Sequence, residues 1–420
     1  MIAPDTAVLG IDLGTSGVRI AILDLAGNLR HSEGMPYPGA FEDPAAWVDG
    51  CRQLIASIPS DLRQRLRALA VDGTSGTLLA CGEGGRPLGP ALPYHLSCPE
   101  QLERLNALIS DSNPAGSASG SLARALRLLE THPRDQLLLR HQADWITGWF
   151  LQSWRYGEEG NNLRLGWNLE TGRWPDTFAR QLWCQALPEI RPSGALLGSI
   201  APSIADQLGC PPNLQVIAGT TDSNAAVLTA NPSAGDGITV LGSTIVLKRF
   251  VKTPLAGAGV TNHRVGGRWL CGGASNSGGV VLQQQFPGID LEELSRQIDP
   301  EQNSGLDLRP LPARGERFPI DDPTLEPILG PRPVSDALYL HGLLEGMARI
   351  EAQGWRRLTE LGAQPPKQVI TVGGGARNPQ WRRLRERILG LAVRSCHAPP
   401  AAGTARLALE GLQQAADLHG

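Results

Sequence analysis

Short apolar runs separated by small and polar residues organise the beginning of this chain. Residues 8–11 form one such run and residues 18–25 form a second. Between them lie Asp12 and the stretch Gly14-Thr15-Ser16-Gly17. Two β-rich runs joined by a few small residues predict a β-hairpin.

The rest of the chain alternates similar runs with helical patterns. Short apolar runs predict buried strands at residues 69–71, 78–81, 214–219 and 368–372. Apolar residues at helical spacing predict helices at residues 43–69, 97–108, 122–130, 141–151, 336–361, 378–391 and 403–416. Strands that alternate with helices along the chain indicate an α/β protein.

The order of apolar runs and small residues in the first predicted hairpin recurs in the second half of the chain. Residues 237–249, GITVLGSTIVLKR, again place glycine and hydroxyl residues between two apolar runs. Residues 10–19 can be set beside residues 240–249, and this echo suggests an internal duplication in which each half opens a new α/β domain. Because the aligned segment is short, chance similarity is the alternative.

Composition narrows the class of protein. A chain of 420 residues predicts two or three domains. Its net charge of −3 and its pI of about 6.3 argue against nucleic acid as the main partner. The seven cysteines form no CxxC pair and are odd in number, which favours free thiols in a reducing compartment.

The segment at the N-terminus leads directly into an apolar strand pattern. It has neither the basic and apolar regions of a secretion signal nor the Arg/Ser-rich character of a transit peptide. No run of about 18 apolar residues occurs anywhere in the sequence. The expectation is therefore a cytoplasmic protein that does not associate with a membrane.

The first loop carries candidate chemistry. Gly14 and Gly17 allow the main chain to press close to a ligand, while Thr15 and Ser16 add hydroxyl donors suited to a terminal phosphate. Asp12, at the end of a buried strand, is placed to hold Mg²⁺ through water. The alternative is an ordinary tight hairpin whose aspartate bonds its own turn.

Four loops share this design of a strand that ends in small residues, at positions 12–16, 219–222, 242–244 and 373–378. Their motifs, IDLGTSGVR, AGTTDSNAA, LGSTIVL and VGGGARNPQW, resemble in this order those of the FGGY carbohydrate kinases. The resemblance covers nearly the whole chain. It is closest to the short ribulose/xylulose-kinase-like members of cyanobacteria and plants, to which LAVDGTSGT, HQADWITGW, GGASNSGG and GERFPIDDP are also similar.

The resemblance implies a set of site residues. Asp222 is the expected catalytic base, and Asp12 is the expected Mg²⁺ ligand. The sugar is expected to contact Asp12, Thr74, Ser75 and Asp222. The nucleotide is expected to contact Gly14, Thr15, Ser16, Gly242, Ser243, Thr244, Gly373, Gly374, Gly375 and Asn378. None of the three lysines lies in a P-loop motif, so main-chain amides, hydroxyls and Mg²⁺ would hold ATP.

Each assignment has a plainer alternative. Asp222 could merely cap its helix, and Thr74 and Ser75 could satisfy only their own turn. The glycines 373–375 could form a simple strand-to-helix turn. Trp145, which could stack against the sugar pocket, is expected to be a core residue instead.

The implied fold is two actin-like (ribonuclease H-like) ATPase domains with an interdomain cleft. The first spans residues 1–227 and the second 228–396, with a last helix in 397–420 that packs back on the first. The implied protein is a monomer or homodimer.

The implied reaction is Mg²⁺-dependent transfer of the γ-phosphoryl group of ATP to a small sugar, a ketopentose such as D-ribulose or xylulose. Two departures from the family stand out, because residues 94–98 (YHLSC) and 161–162 (NN) lack acids that many members use to bind sugar. A non-catalytic nucleotide- and sugar-binding regulatory protein of the same fold is the rival interpretation.

Overall fold

The computed structural model describes residues 5–110, 113–132 and 136–417. The chain divides into two compact units. The first unit comprises Met1–Thr229, Arg264–Gly267 and Pro399–Gly420, and the second comprises Ala230–His263 and Arg268–Ala398.

Strands and helices alternate through both units. The strands are β1 Ala7–Leu13, β2 Gly17–Asp24, β3 Leu29–Pro36, β4 Leu66–Gly73, β5 Leu78–Cys81, β6 Leu138–His141, β7 Tyr156–Glu158, β8 Glu189–Arg191, β9 Leu196–Ser199, β10 Gln215–Thr221, β11 Gly237–Leu241, β12 Ile245–Val251, β13 Val260–Val265, β14 Arg268–Ser275, β15 Gln368–Val372 and β16 Ala392–Ser395. The helices are α1 Pro44–Ser57, α2 Ser60–Arg63, α3 Leu102–Leu108, α4 Ser121–Thr131, α5 Gln142–Leu151, α6 Asp176–Ala179, α7 Pro202–Leu208, α8 Asp222–Thr229, α9 Gly279–Gln285, α10 Leu291–Ser295, α11 Asp336–Glu360, α12 Pro379–Leu389 and α13 Ala401–Asp417.

The first unit is built on a six-stranded sheet in the order β3-β2-β1-β4-β10-β9. The predicted hairpin is confirmed, because β1 and β2 pair antiparallel. Strand β4 runs parallel to β1, and β10 runs parallel to β4. Alternate residues of the central strands point to opposite faces, so Leu9 and Ile11 join one apolar core while Val8 joins another.

The second unit has a six-stranded sheet in the order β13-β14-β12-β11-β15-β16. Its hairpin, β11 with β12, is antiparallel, and β15 and β16 run parallel to β11. Five strands therefore follow the same order and sense in both sheets, as an internal duplication predicts. Helix α11 packs its apolar side, including Leu343 and Met347, into the core of this unit.

The last helix, α13, packs on the central strands of the first sheet. The approach is close, because a Cβ on Gly10 would lie 2.2 Å from the Ala401 carbonyl oxygen. Gly403 is likewise in contact with α8, where a Cβ would lie 1.9 Å from the Ala225 carbonyl oxygen. Only glycine fits such main-chain contacts, and they seat α13 against the strands that end at the candidate site.

The helix predicted over residues 43–69 is wrong in its second half. Helix α1 ends at Ser57, since Ile58 adopts the extended conformation that the following Pro59 requires. After the short α2, strand β4 begins at Leu66 and pairs with β1. Tertiary pairing thus overrides the helical spacing. No helix within the described residues has the length and apolarity needed to cross a membrane.

Candidate functional site

Two aspartates end adjacent parallel strands of the first sheet. The register of β1 and β4 sets Asp12 beside Asp72, and the two side chains are 5% and 1% exposed. The Arg19 Nη1 donates to Asp12 Oδ2 at 3.2 Å. The Thr404 hydroxyl of α13 donates to Asp72 Oδ2, whereas Asp72 Oδ1 has no hydrogen-bond partner within the described structure. Asp72 Oδ1 is therefore the atom that can carry a proton shared with Asp12 or, when ionised, accept a ligand.

Burial controls the charge of this pair. Burial raises the pKa of Asp72 well above its usual value, and the neighbouring Asp12 raises it further. Burial also raises the pKa of Asp12, although the positive charge of Arg19 opposes the rise. Because two adjacent buried carboxylates resist ionising together, the proton of the pair resides mainly on Asp72.

Asp222 lies where β10 meets α8, next to this pair along the sheet. Strand β10 pairs with β4 so that Thr220 faces Asp72. The cap of α8 is Thr221, whose hydroxyl accepts the Asn224 main-chain N–H at 3.3 Å. Asp222 Oδ1 accepts the N–H of the next residue, Ser223, at 2.7 Å, and the carboxylate also interacts with the Ser75 N–H of the neighbouring loop. The carboxylate of Asp222 is therefore not needed as the helix cap.

The pKa of Asp222 is raised to about 6, chiefly by burial. The main-chain N–H of Ser223 lowers the pKa, Asp12 raises it, and the N–H of Ser75 lowers it slightly. A carboxylate with a pKa of about 6 is ionised at neutral pH and still basic enough to accept a proton. This combination suits a general base.

The loop after β4 offers fewer free hydroxyl groups for a substrate than expected. The Thr74 hydroxyl is 2.6 Å from that of Thr77 and donates to Gln142 Oε1 at 2.8 Å, so it is occupied within the fold. Ser75 is partly exposed, and its main chain reaches Asp222. A substrate contact by Thr74 or Ser75 stays a prediction, and the geometry favours Ser75.

The hairpin loop at residues 14–16 is exposed at its tip. Thr15 and Ser16 are exposed, and Ser16 Oγ accepts from Arg19 Nη2 at 3.2 Å. The Gly14 N–H donates to the Gly17 carbonyl at 3.0 Å and closes the turn. Arg19 thus links this loop to Asp12. Phosphate contacts by Gly14, Thr15 and Ser16 stay predictions.

Trp145 is a core residue, the alternative favoured from the sequence. It is 5% exposed, packs edge-on against Trp47 with ring centroids 6.0 Å apart, and donates from Nε1 to the Gly85 carbonyl at 2.9 Å. The amides at 161–162 are also buried, and Asn162 Nδ2 donates to Asp144 Oδ2 at 3.0 Å. These amides stabilise the fold where the sequence lacks the expected acid.

The second unit contains a largely apolar cavity of about 470 Å³. It brings together five of the predicted nucleotide residues, Gly242, Ser243, Gly374, Gly375 and Asn378. Thr244 and Gly373 are not among its lining residues, so a nucleotide contact by either stays a prediction. The sequence did not assign the apolar walls, which come from Leu241, Leu282, Leu291, Leu340, Leu344 and Trp381.

Neighbouring glycines at this cavity have different roles. Gly373 has φ of +92° and a Cβ there would lie 2.6 Å from the Leu241 carbonyl oxygen, so the turn requires glycine. A Cβ on Gly374 would have no atom within 4 Å and would enter open space. Asn378 supports the wall, since its Oδ1 accepts the Trp381 N–H at 3.0 Å and its Nδ2 donates to Ser295 Oγ at 2.8 Å.

The acid pair fits a magnesium ion that keeps most of its water. Mg²⁺ prefers oxygen ligands and commonly uses one or two carboxylates together with substrate phosphates. Asp12 supplies a carboxylate, and Oδ1 of Asp72 would supply a second oxygen beside it once the cation displaces the proton that the pair holds without a metal. Within the described residues, no group of three or more histidine, cysteine or acidic side chains forms a complete metal cage.

Comparison with known proteins gives a family match for the second part of the chain. Residues 230–411 match the FGGY family of carbohydrate kinases, C-terminal domain. It is 25% identical over 457 residues to a xylulose kinase of Klebsiella pneumoniae, an alignment that covers 98% of this chain and 91% of the relative.

Solved structures of the family show the same fold. A xylulose kinase of Rhodospirillum rubrum superposes with a TM-score of 0.79 at 20% identity, covering 98% of this chain and 90% of that one. A glycerol kinase of Plasmodium falciparum with ADP gives a TM-score of 0.79 at 16% identity, covering 97% and 90%. The predicted actin-like, ribonuclease H-like fold is thereby confirmed for this chain.

Sequence reasoning missed two members of the acid cluster. Asp72 stood in a recognised strand-end loop, LAVDGTSGT, but received no role. The available signal was its position after an apolar run, which matches that of Asp12. No local signal marked Thr404, because it lies 332 residues from Asp72 in the chain and only the packing of α13 brings them together.

Proposed function

We propose that this chain phosphorylates a ketopentose, D-ribulose or D-xylulose, with Mg²⁺-bound ATP, and that Asp222 is the general base. The observation that carries the proposal is the Asp222 carboxylate, which has a pKa of about 6 and is not the cap of its helix. The same strand ends supply Asp12 and Asp72, the oxygen ligands that a phosphoryl-transfer site requires.

In the proposed mechanism, Asp222 accepts the proton of the sugar hydroxyl as that oxygen attacks the γ-phosphorus. The N–H groups of Ser223 and Ser75 hold the Asp222 carboxylate in place. Asp12 and Asp72 would hold Mg²⁺, which neutralises phosphate charge when bound. Arg19 fixes Asp12 and reaches Ser16 in the loop proposed to contact the phosphates.

The nucleoside is proposed to bind in the cavity of the second unit. Its apolar walls suit a purine base, and the open space beside Gly374 lets a ligand approach the main chain. Main-chain N–H groups and the Ser243 hydroxyl then face the ligand without a P-loop lysine. ATP is the expected nucleotide because the family consists of kinases.

The acceptor is tested with a panel of sugars and polyols in an assay that couples ADP release to a detectable reaction. D-ribulose, D-xylulose, L-ribulose, gluconate and glycerol are compared at equal concentration with Mg²⁺ and ATP. We expect a ketopentose to give the highest kcat/KM. Highest turnover with gluconate or glycerol would refute the ketopentose assignment, and ATP binding without stimulation by any acceptor would favour the regulatory alternative.

The base is tested with Asp222→Asn, which keeps the shape of the side chain. We expect kcat to fall by about 10²–10⁴-fold, the range associated with loss of a general base. ATP affinity should be unchanged, because the proposed nucleoside cavity belongs to the second unit. Turnover within threefold of the wild type would remove Asp222 from the mechanism.

The stability of this variant provides the control for folding. A raised carboxyl pKa means that the folded state binds the proton more tightly than the unfolded state, so ionisation above pH 6 costs stability. Asp222→Asn removes that cost and should unfold at an equal or higher denaturant concentration at pH 7.5. An inactive but stable variant therefore separates catalysis from folding.

A further inference from the structure

A second cavity of the second unit is strongly basic. It has a volume of about 380 Å³ and lies between the start of α12 and the edge strand β16. Three arginines and one histidine line it, namely Arg377, Arg382, Arg394 and His397. None of its lining residues carries a carboxylate. Such a lining gives the cavity an excess of positive charge.

The charge of this basic cavity is only partly neutralised by the protein. Arg382 donates to Glu386 Oε1 at 2.9 Å. Arg377 and Arg394 form no ion pair or side-chain hydrogen bond with any described residue. Arginines nearby on α12 behave differently, since Arg385 is paired with Glu351 and Arg387 with Glu345. Two guanidinium groups at the basic cavity thus keep their donors available.

We propose that the basic cavity is a binding site for a small phosphorylated molecule, separate from the nucleoside cavity. Guanidinium groups match the geometry of phosphate oxygens and bind them through paired, charge-assisted hydrogen bonds. A volume of about 380 Å³ falls in the range of small-molecule sites and exceeds the needs of one free phosphate ion. The chemistry therefore favours a phosphate ester over inorganic phosphate.

The basic cavity shares part of its wall with the nucleoside cavity. Arg377 and Pro379 line both this cavity and the nucleoside cavity. A ligand in one cavity therefore contacts the wall of the other. Arg382, Arg394 and His397 line only the basic cavity and define its own specificity.

The test measures binding to the full chain by isothermal titration calorimetry in phosphate-free buffer. Inorganic phosphate and D-glucose 6-phosphate serve as probes, the ester being expected to bind more tightly. Arg394→Ala should weaken the binding of both by about tenfold or more. Arg383→Ala is the matched control, because Arg383 is exposed on the same helix and does not line the cavity. This control should change the dissociation constant by less than twofold.

The titrations are repeated with saturating ATP to separate the two cavities. Binding that persists with ATP and weakens in Arg394→Ala supports the basic cavity. Inorganic phosphate that binds as tightly as the ester would overturn the assignment to a phosphorylated molecule. The proposal is overturned if neither probe gives a saturable titration, or if Arg394→Ala and Arg383→Ala behave alike. Because no step requires turnover, the outcome is independent of the proposed sugar acceptor.

Discussion

The two units share a five-stranded arrangement. The ends of its central strands carry acidic side chains in the first unit and apolar side chains in the second. In the first unit, Asp12 pairs across the hairpin with Arg19 and across the parallel strand with Asp72. In the second unit, Val240 takes the corresponding place, with Val246 and Val372 as its neighbours. The comparison teaches that the shared arrangement fixes where side chains meet, while the residue types decide what those places do.

The equivalence of these positions follows from the strand pairing. The last pair before the loop is Leu13 with Val18 in the first hairpin and Leu241 with Ile245 in the second. The direct alignment of residues 10–19 with 240–249 would instead set Asp12 against Gly242. The strands therefore shift that alignment by two positions and leave the second hairpin without an acid.

Asp12→Val places in the first unit the valine that the second unit has at the corresponding position. Of the variants considered, it should have the largest effect on catalysis. Loss of the carboxylate that would hold Mg²⁺ is expected to lower kcat by about 10²-fold or more, a size typical of losing one preorganised charge-stabilising group. Steady-state kinetics across a Mg²⁺ titration check this. Urea denaturation of the variant shows how much of any loss comes from folding, because Arg19 loses its partner.

A wild-type kcat in Asp12→Val would show that the carboxylate is not part of the chemistry. The matched control is Val240→Ala, which alters the equivalent place in the second unit. That control should leave Mg²⁺ dependence unchanged, because no acid is present there.

Val372→Asp makes the reverse exchange by placing a carboxylate where the first unit has Asp72. Val372 is 5% exposed and faces Val240, so the new acid would be buried without a partner. We expect the free energy of unfolding to fall by about 2–4 kcal/mol. Urea denaturation measures the change, with Val372→Ala as the control for lost volume. Equal stability of the two variants would contradict the apolar requirement of the second unit.

Two neighbouring glycines at the nucleoside cavity are expected to respond differently to the same substitution. Gly373→Ala should destabilise the protein by about 1–3 kcal/mol, because alanine strains a positive φ and contacts the Leu241 carbonyl. Gly374→Ala should leave unfolding unchanged yet weaken ATP binding several-fold, since its methyl group enters open space. Denaturation and ATP titration of both variants test this, and the reverse pattern would exclude a ligand at Gly374.

The smallest expected effect is on the pH dependence of catalysis. Asp222 must be ionised to accept a proton, so kcat/KM should rise with pH through about 6. Asp12 raises the pKa of Asp222, and Asp12→Asn should therefore shift the residual activity profile to lower pH by less than about one unit. Profiles recorded at constant ionic strength test the shift, and a move to higher pH would contradict it.

The sequence predicted the elements whose signals are local. The hairpins, the strand ends and long helix α11 followed from periodicity and small-residue loops, and Asp12 and Asp222 stood out as acids after apolar runs. The boundary between α1 and β4 was missed, because residues 66–68 fit the helical spacing and become part of the strand through its pairing with β1. Strand β3 was missed for a similar reason, since it is a largely exposed edge strand.

What the sequence by itself determined is the resemblance to FGGY carbohydrate kinases, the α/β class and the strand-end loops that carry reactive residues. Only the tertiary structure decided that Asp72 stands beside Asp12, that Thr404 binds Asp72, and that the helices of the second unit enclose a nucleoside-sized cavity. The physical reason is the separation along the chain of the residues that form each feature. A motif lies within a few adjacent residues, whereas a shared proton or a cavity wall depends on side chains that only strand register and helix packing bring together.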